Sequence, residues 1–343
     1  MAARTHGSSL AQNGRSAVFH YVKSHPIGMS AAAAVATFAT CALVNQHLAN
    51  RAQEKNPPIG DFLEIDGVRL HYIERGEGDS LLLLHGNGSM IQDFECSGLV
   101  TLAAKDHRVI VFDRPGYGYS ERPRGTIWSP DAQAALIYRA LVRLGVSRVT
   151  VLGHSWGASV AIALALKHPE MVTGLVLASG YYYPTARADV IVQSGPAVPG
   201  IGDLMSLTLA PLISRAMWTI SIENMFGPKP VPTKFSGFPK EMALRPSQIK
   251  AGAGESAMMI PDAFAFQGEY ERLKMPVVIV AGEEDRVVDV EQSAQLHRQI
   301  PQSTLRRLSG AGHMVHQTET LEVMSAINEA SKKIDPETFP SAA

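Results

Sequence analysis

The chain has 343 residues, 45% of them hydrophobic, enough for two domains or for one large domain with an insertion, around a sizeable core. Thirty-one Lys and Arg stand against 32 Asp and Glu, a net charge of −1, so no basic excess exists to neutralise phosphates and no nucleic-acid partner is expected. Two cysteines, Cys41 and Cys96, exclude a disulfide-rich scaffold and a multi-cysteine zinc site.

Residues 1–58 read as an apolar segment followed by a linker. From Pro26 to Gln46 there is no charged residue and no histidine, and alanine dominates. A span of ~20 mainly apolar residues can cross a bilayer. Arg4, Arg15 and Lys23 precede the segment, and Arg51 and Lys55 follow it. This asymmetry mildly favours an inside N-terminus and a body outside the cytoplasm. An uncleaved anchor over residues 26–46 is the leading reading. A cleaved signal is weaker, because Thr40-Cys41-Ala42 is a poor cleavage site, and a helix of a soluble protein is the third option. Asn56-Pro57-Pro58 ends the segment.

The body alternates strand-like and helix-like stretches. Phe62–Ile65 and Val68–Ile73 flank Asp66-Gly67, a two-residue hairpin signal. Apolar runs at 80–84, 108–112, 148–152, 174–178 and 276–280 suit strands buried on both faces. Helical stretches lie between them. One covers Ser129–Leu144, with serine as N-cap and Pro130 in the first turn, and another runs from Trp156 to Lys167. The pattern predicts an α/β fold, a mostly parallel sheet flanked by helices. Between 184 and 267 no buried-strand run occurs. That interval reads as an inserted helical cap, leaving 59–183 and 268–335 as the core.

Gly153-His154-Ser155-Trp156-Gly157 follows an apolar strand and opens a helix. That is the strand–turn–helix setting of a nucleophile elbow, where flanking glycines let a strained serine project. Serine needs a base and an orienting acid from elsewhere in the chain. Four further motifs come in order: His85-Gly86-Asn87-Gly88, Asp113 to Ser120, Gly282 to Val288 around Asp285, and Gly310 to His316 around His313. With these motifs the chain resembles the α/β-hydrolase superfamily, over roughly 59–330.

The resemblance implies that Ser155 is the nucleophile, His313 the general base and acid, and Asp285 the residue that orients His313. It also implies that the backbone N–H groups of Asn87 and Trp156 form an oxyanion hole, with loop geometry mattering more than the identity of Asn87. Glu283, Glu284 and Asp289 are rival acids, read as solvated charges. His316 is read as exposed or capping, His85 and His154 as structural, and Asp113 with Arg114 as a hydrogen-bonded turn. No metal site and no cofactor are expected.

Serine at the elbow argues against dehalogenase and epoxide-hydrolase chemistry, which the superfamily performs with aspartate there. Ester hydrolysis is the preferred reading, on a small or medium apolar ester. Carbon–carbon bond hydrolysis, a proline iminopeptidase-like peptidase and a cofactor-free perhydrolase are the alternatives. A ligand-binding module on the same fold is the non-enzyme alternative. Six of 13 methionines fall in the cap, which suits an adaptable apolar pocket. Trp156, Met217, Trp218, Phe226 and Met314 are the candidate pocket residues. The chain carries no signature of an oligomeric state.

Overall fold

The computed structural model describes residues 26–332. The flanking Arg4, Arg15 and Lys23, and residues 333–335 of the expected core, lie outside the described residues. Eight strands form one sheet: β1 Asp61–Ile65, β2 Val68–Arg75, β3 Asp79–Leu84, β4 His107–Phe112, β5 Val149–His154, β6 Val172–Ala178, β7 Val277–Gly282 and β8 Ser303–Leu308. Their order is β1-β2-β4-β3-β5-β6-β7-β8. The β1–β2 and β2–β4 pairs are antiparallel and the rest are parallel. Asp66 and Gly67, at φ 52° and 75°, turn β1 into β2 in the left-handed conformation that aspartate tolerates and that glycine, without a Cβ, adopts freely.

The continuous apolar runs are explained by burial on two faces. Leu82, Leu84, Ile110, Val151 and Leu177 join one core cluster, while Leu81, Leu83, Val109, Leu152 and Val176 join another. Alternate residues of a strand point to opposite faces, so a strand covered on both sides has no polar register. Helices Pro130–Arg143 and Trp156–Lys167 pack on the first face. Helix Thr320–Ala330 packs on the second. Ser129 caps the helix it precedes, its hydroxyl accepting from the amide of Ala132 at 3.3 Å.

Between β6 and β7 the chain forms the inserted helical cap. Its main helices are Ala188–Gln193, Ile201–Leu207, Leu209–Phe226 and Pro246–Phe266. The N-terminal helix runs from Pro26 to Lys55, well beyond Gln46. Its later turns dock on the cap: Asn45, Ala49 and Ala52 are buried, and Asn45 Nδ2 donates to the carbonyls of Leu207 and Thr208 at 3.0 and 2.6 Å.

Candidate active site

Ser155 sits between β5 and helix Trp156–Lys167 at φ 52°, ψ −122°, a conformation that costs a non-glycine residue about 1–3 kcal/mol. Neighbouring glycines permit it. A Cβ on Gly153 would strike the backbone of Gly157 and Ala158, and one on Gly157 would strike the carbonyls of Leu84 and His85. The turn is held by the Ser155 amide donating to Ala178 O at 2.8 Å.

Three side chains from three strand ends meet here. Ser155 Oγ lies 3.0 Å from His313 Nε2, and His313 Nδ1 lies 2.8 Å from Asp285 Oδ2. The other Asp285 oxygen accepts from the amides of Val287 and Val288 at 2.7 and 2.9 Å, which fixes the carboxylate. The His313 and Asp285 side chains are 2% exposed. With Nδ1–H donated to the acid, Nε2 is free to accept the serine proton, as a general base requires. The rival acids are engaged elsewhere. Glu283 pairs with Arg307, Glu284 accepts from the Gly310 amide, and Asp289 accepts from the Glu291 amide.

The amides of Asn87 and Trp156 have no intramolecular acceptor among the described residues. The Asn87 side chain ties the oxyanion loop to the cap, donating to Gly252 O at 3.0 Å and Ser256 Oγ at 3.1 Å. Its identity therefore matters more than the motif alone suggested.

His85 is buried beneath the loop. Its Nδ1 donates to Gly86 O at 2.8 Å, and Nε2 accepts from the Arg114 amide at 3.0 Å. Both partners suit the neutral ring. Burial, then the Arg114 charge, pushes its pKa down to about 4. His154, likewise neutralised by burial and by neighbouring His316 and His313, donates to His313 O at 3.1 Å.

The family model described as the α/β hydrolase fold matches residues 79–320. The chain belongs to the α/β-hydrolase family. Among curated relatives, the hydrolase is similar to 2-hydroxymuconate semialdehyde hydrolase of Pseudomonas putida, 27% identical over 268 residues, covering 76% of this chain and 90% of that one. Two solved structures share the fold. One is a meta-cleavage product hydrolase of Pseudomonas fluorescens, with TM-score 0.61, 22% identity, 80% of this chain and all of the other covered. The second is a bacterial membrane phospholipase A, with TM-score 0.61, 19% identity, and coverage of 91% and 99%.

The expected pocket residues of the hydrolase part ways. Phe226 and Met314 share one buried cluster with Met90 and Phe235, next to the histidine loop. Trp218 stacks on Phe238 at the edge of that cluster. Trp156 is sandwiched between core and cap, its indole N–H donating to Glu255 O at 3.1 Å. Met217 differs from expectation: it is 45% exposed, on a helix side turned to solvent. Apolar character alone does not separate the inner from the outer face of a cap helix.

Three connections join residues far apart in the chain. The first is a fully buried ion pair between Arg114 and Glu255 of the cap. Arg114 also donates to the carbonyls of His85 and Gly86 at 2.8 and 2.9 Å, so the pair braces the oxyanion loop. Tyr117 Oη, 2.7 Å from Glu255, and Gln133 Nε2, at 3.0 Å, complete its shell. Arg114 is thus more than the turn residue expected. The second is His316, expected to be exposed or capping but wholly buried, with Nε2 3.0 Å from Asp93 Oδ1. Asp93, His154 and His316 lie close enough to approach an ion. The Asp93 carboxylate, however, already accepts from Ser89 at 2.8 Å, Gln317 at 2.8 Å and His316. The third is the His313 amide, which donates to Met225 O of the cap at 3.0 Å.

Proposed function

We propose that this α/β hydrolase cleaves a bond to a carbonyl carbon through an acyl-enzyme on Ser155. The observation that carries this reading is the continuous relay Ser155–His313–Asp285. Ser155 attacks the carbonyl while its proton passes to His313 Nε2. His313 then returns the proton to the leaving group, and water, deprotonated by the same nitrogen, releases the acid. The charge on the carbonyl oxygen is met by the Asn87 and Trp156 amides, each such donor being worth about 2.7–4 kcal/mol.

The leaving group separates two readings. The curated relative's name supports carbon–carbon cleavage, ahead of the ester hydrolysis favoured by the sequence. An apolar ester is supported by the cap's cations. Arg187 binds Asp189, Arg215 binds Glu241, and Arg245 binds the carbonyls of Met242 and Gly118. Of the four cap lysines, Lys229 and Lys250 pair with carboxylates, and Lys234 and Lys240 are engaged by a carbonyl and an indole ring. Comparing kcat/KM for 2-hydroxymuconate semialdehyde and for p-nitrophenyl esters of increasing chain length tests both. Preference for the semialdehyde sinks the ester reading, and the converse sinks carbon–carbon cleavage. If neither is turned over and a fluorophosphonate does not label Ser155, the acyl-enzyme reading fails.

We further propose that residues 26–46 anchor the enzyme in a membrane with the catalytic domain outside the cytoplasm. Within Ser30–Lys55 the most apolar 18-residue window has a mean hydropathy of 1.2, and only 6% of that window is buried. Protease added outside intact spheroplasts tests this: a body cleaved only after the membrane is opened refutes the orientation.

A further inference from the structure

The cap presents an apolar face that none of the described residues covers. On helix Leu209–Phe226, Leu209, Ile213, Met217 and Ile220 recur at intervals of four, four and three and fall within one narrow arc. Ile213 and Ile220 are 59% and 60% exposed. Ile201 and Leu204 of the preceding helix are 67% and 47% exposed. Large exposed apolar residues gathered on neighbouring helices mark an interaction surface.

The same two helices hold the N-terminal helix. Asn45 bonds to the carbonyls of Leu207 and Thr208, and its Oδ1 accepts from Arg215 Nη1 at 3.0 Å. Phe38, Cys41 and Ala42 are half-buried on that side, whereas Val35, Leu43 and Val44 are exposed. Thirty residues at ~1.5 Å each give a rod of about 45 Å, against a hydrocarbon core of about 30 Å. The apolar part of this rod runs on to Gln46, and Asn45 within it is bonded to Leu207 and Thr208, where the two stripe-bearing helices join. A bilayer that takes up the helix must therefore meet the cap. Charges flanking the stripe are neutralised within the protein, Arg215 by Glu241 and Lys250 by Asp203. Such a face is drawn by apolar contact rather than by anionic headgroups.

We infer that the exposed stripe of helices Ile201–Leu207 and Leu209–Phe226 is a lipid-docking surface that rests in the bilayer interface beside the N-terminal helix. Amphipathic faces of this kind settle about 5–10 Å into the headgroup boundary. The inference rests on the anchoring reading, and its test separates the two.

Ile213→Cys, Ile220→Cys and, as a control, Arg298→Cys are placed in the full chain carrying Cys41→Ala and Cys96→Ala, and labelled with a nitrobenzoxadiazole fluorophore. Each is mixed with phosphatidylcholine vesicles, with and without doxyl-labelled lipid. The expected result is flotation with the vesicles, with blue-shifted emission quenched by doxyl lipid at 213 and 220 but not at 298, unchanged by salt. Flotation with all three probes unquenched overturns the docking surface and leaves the anchor standing. Failure to float overturns both. A shift at 213 and 220 without vesicles, growing with protein concentration, assigns the face to a second copy instead. Hydrogen exchange on the unaltered chain is the check free of substitutions: vesicles should slow exchange across 201–226, and unchanged exchange there refutes the proposal.

Discussion

Glu255→Ala is the sharpest probe of how the cap supports the site. The Glu255 carboxylate is wholly buried and accepts from Arg114, Gln133 and Tyr117. Alanine removes one acceptor from each of three donors, which keep their other partners, and leaves the buried guanidinium charge uncompensated. Breaking a buried pair from one side costs about 3–5 kcal/mol, mostly because the remaining charge stays desolvated. At about 2–4 °C per kcal/mol for domains of 150–250 residues, the melting temperature should drop by roughly 6–20 °C. Urea unfolding of Glu255→Ala, Arg114→Met and the double variant Arg114→Met/Glu255→Ala gives the coupling energy. The double variant should cost clearly less than the sum of the singles. The pH dependence has a fixed sign. Burial opposes ionisation of Glu255, but Arg114 outweighs it and holds the carboxyl below its ordinary value. The folded pKa is thus below the unfolded one, so the contribution is full above the unfolded value and is lost as pH falls through the folded value. Glu255→Gln should flatten that acid limb. A loss under about 1 kcal/mol, or additive singles, would refute the reasoning.

Asp285→Asn should lower kcat about 10⁴-fold by upsetting the His313 tautomer, measured on whichever substrate the wild type prefers. Asn87→Ala frees the oxyanion loop from Gly252 and Ser256, and kcat should fall about 10- to 100-fold with little change in KM. Gly157→Ala drives a methyl group into the carbonyls of Leu84 and His85, so thermal melts should show a loss of about 1–3 kcal/mol. Burial, then the charges of Asp131 and Glu255, raises Asp262 to about 7. The folded state therefore binds the extra proton, and stability falls as pH rises from the ordinary carboxyl value towards 7. Asp262→Asn should raise the urea midpoint at pH 8 and leave it unchanged at pH 4, and equal shifts at both values would contradict this.

The sheet and the elbow were readable because their causes are local. Leu81–Leu84 is apolar throughout because both faces of β3 are covered, and the glycines around Ser155 are needed by a strained turn only a few residues long. Motif order brought Asp285 and His313 to Ser155 through the family resemblance. What lay out of reach was pairing over long separations. Glu255 meets Arg114 across 141 residues and His316 meets Asp93 across 223, distances over which spacing carries no information. A signal did exist in the first case: Glu255 is the one carboxylate between Pro246 and Met259 in a helix rich in alanine, glycine and methionine. Met217 failed for the opposite reason. Its helix is apolar on both its packed and its exposed sides, so hydrophobicity lost its meaning as a sign of burial.

The hydrogen bond from the His313 amide to Met225 O makes the histidine loop answer to the cap. Lifting the cap as a hinged lid would pull on the backbone of the general base itself. Admission of substrate and assembly of the triad are then mechanically opposed, and a wide-open state would be an idle one. A cap movement that keeps the Met225 carbonyl in place leaves the triad assembled, whereas one that carries helix Leu209–Phe226 away breaks this bond first.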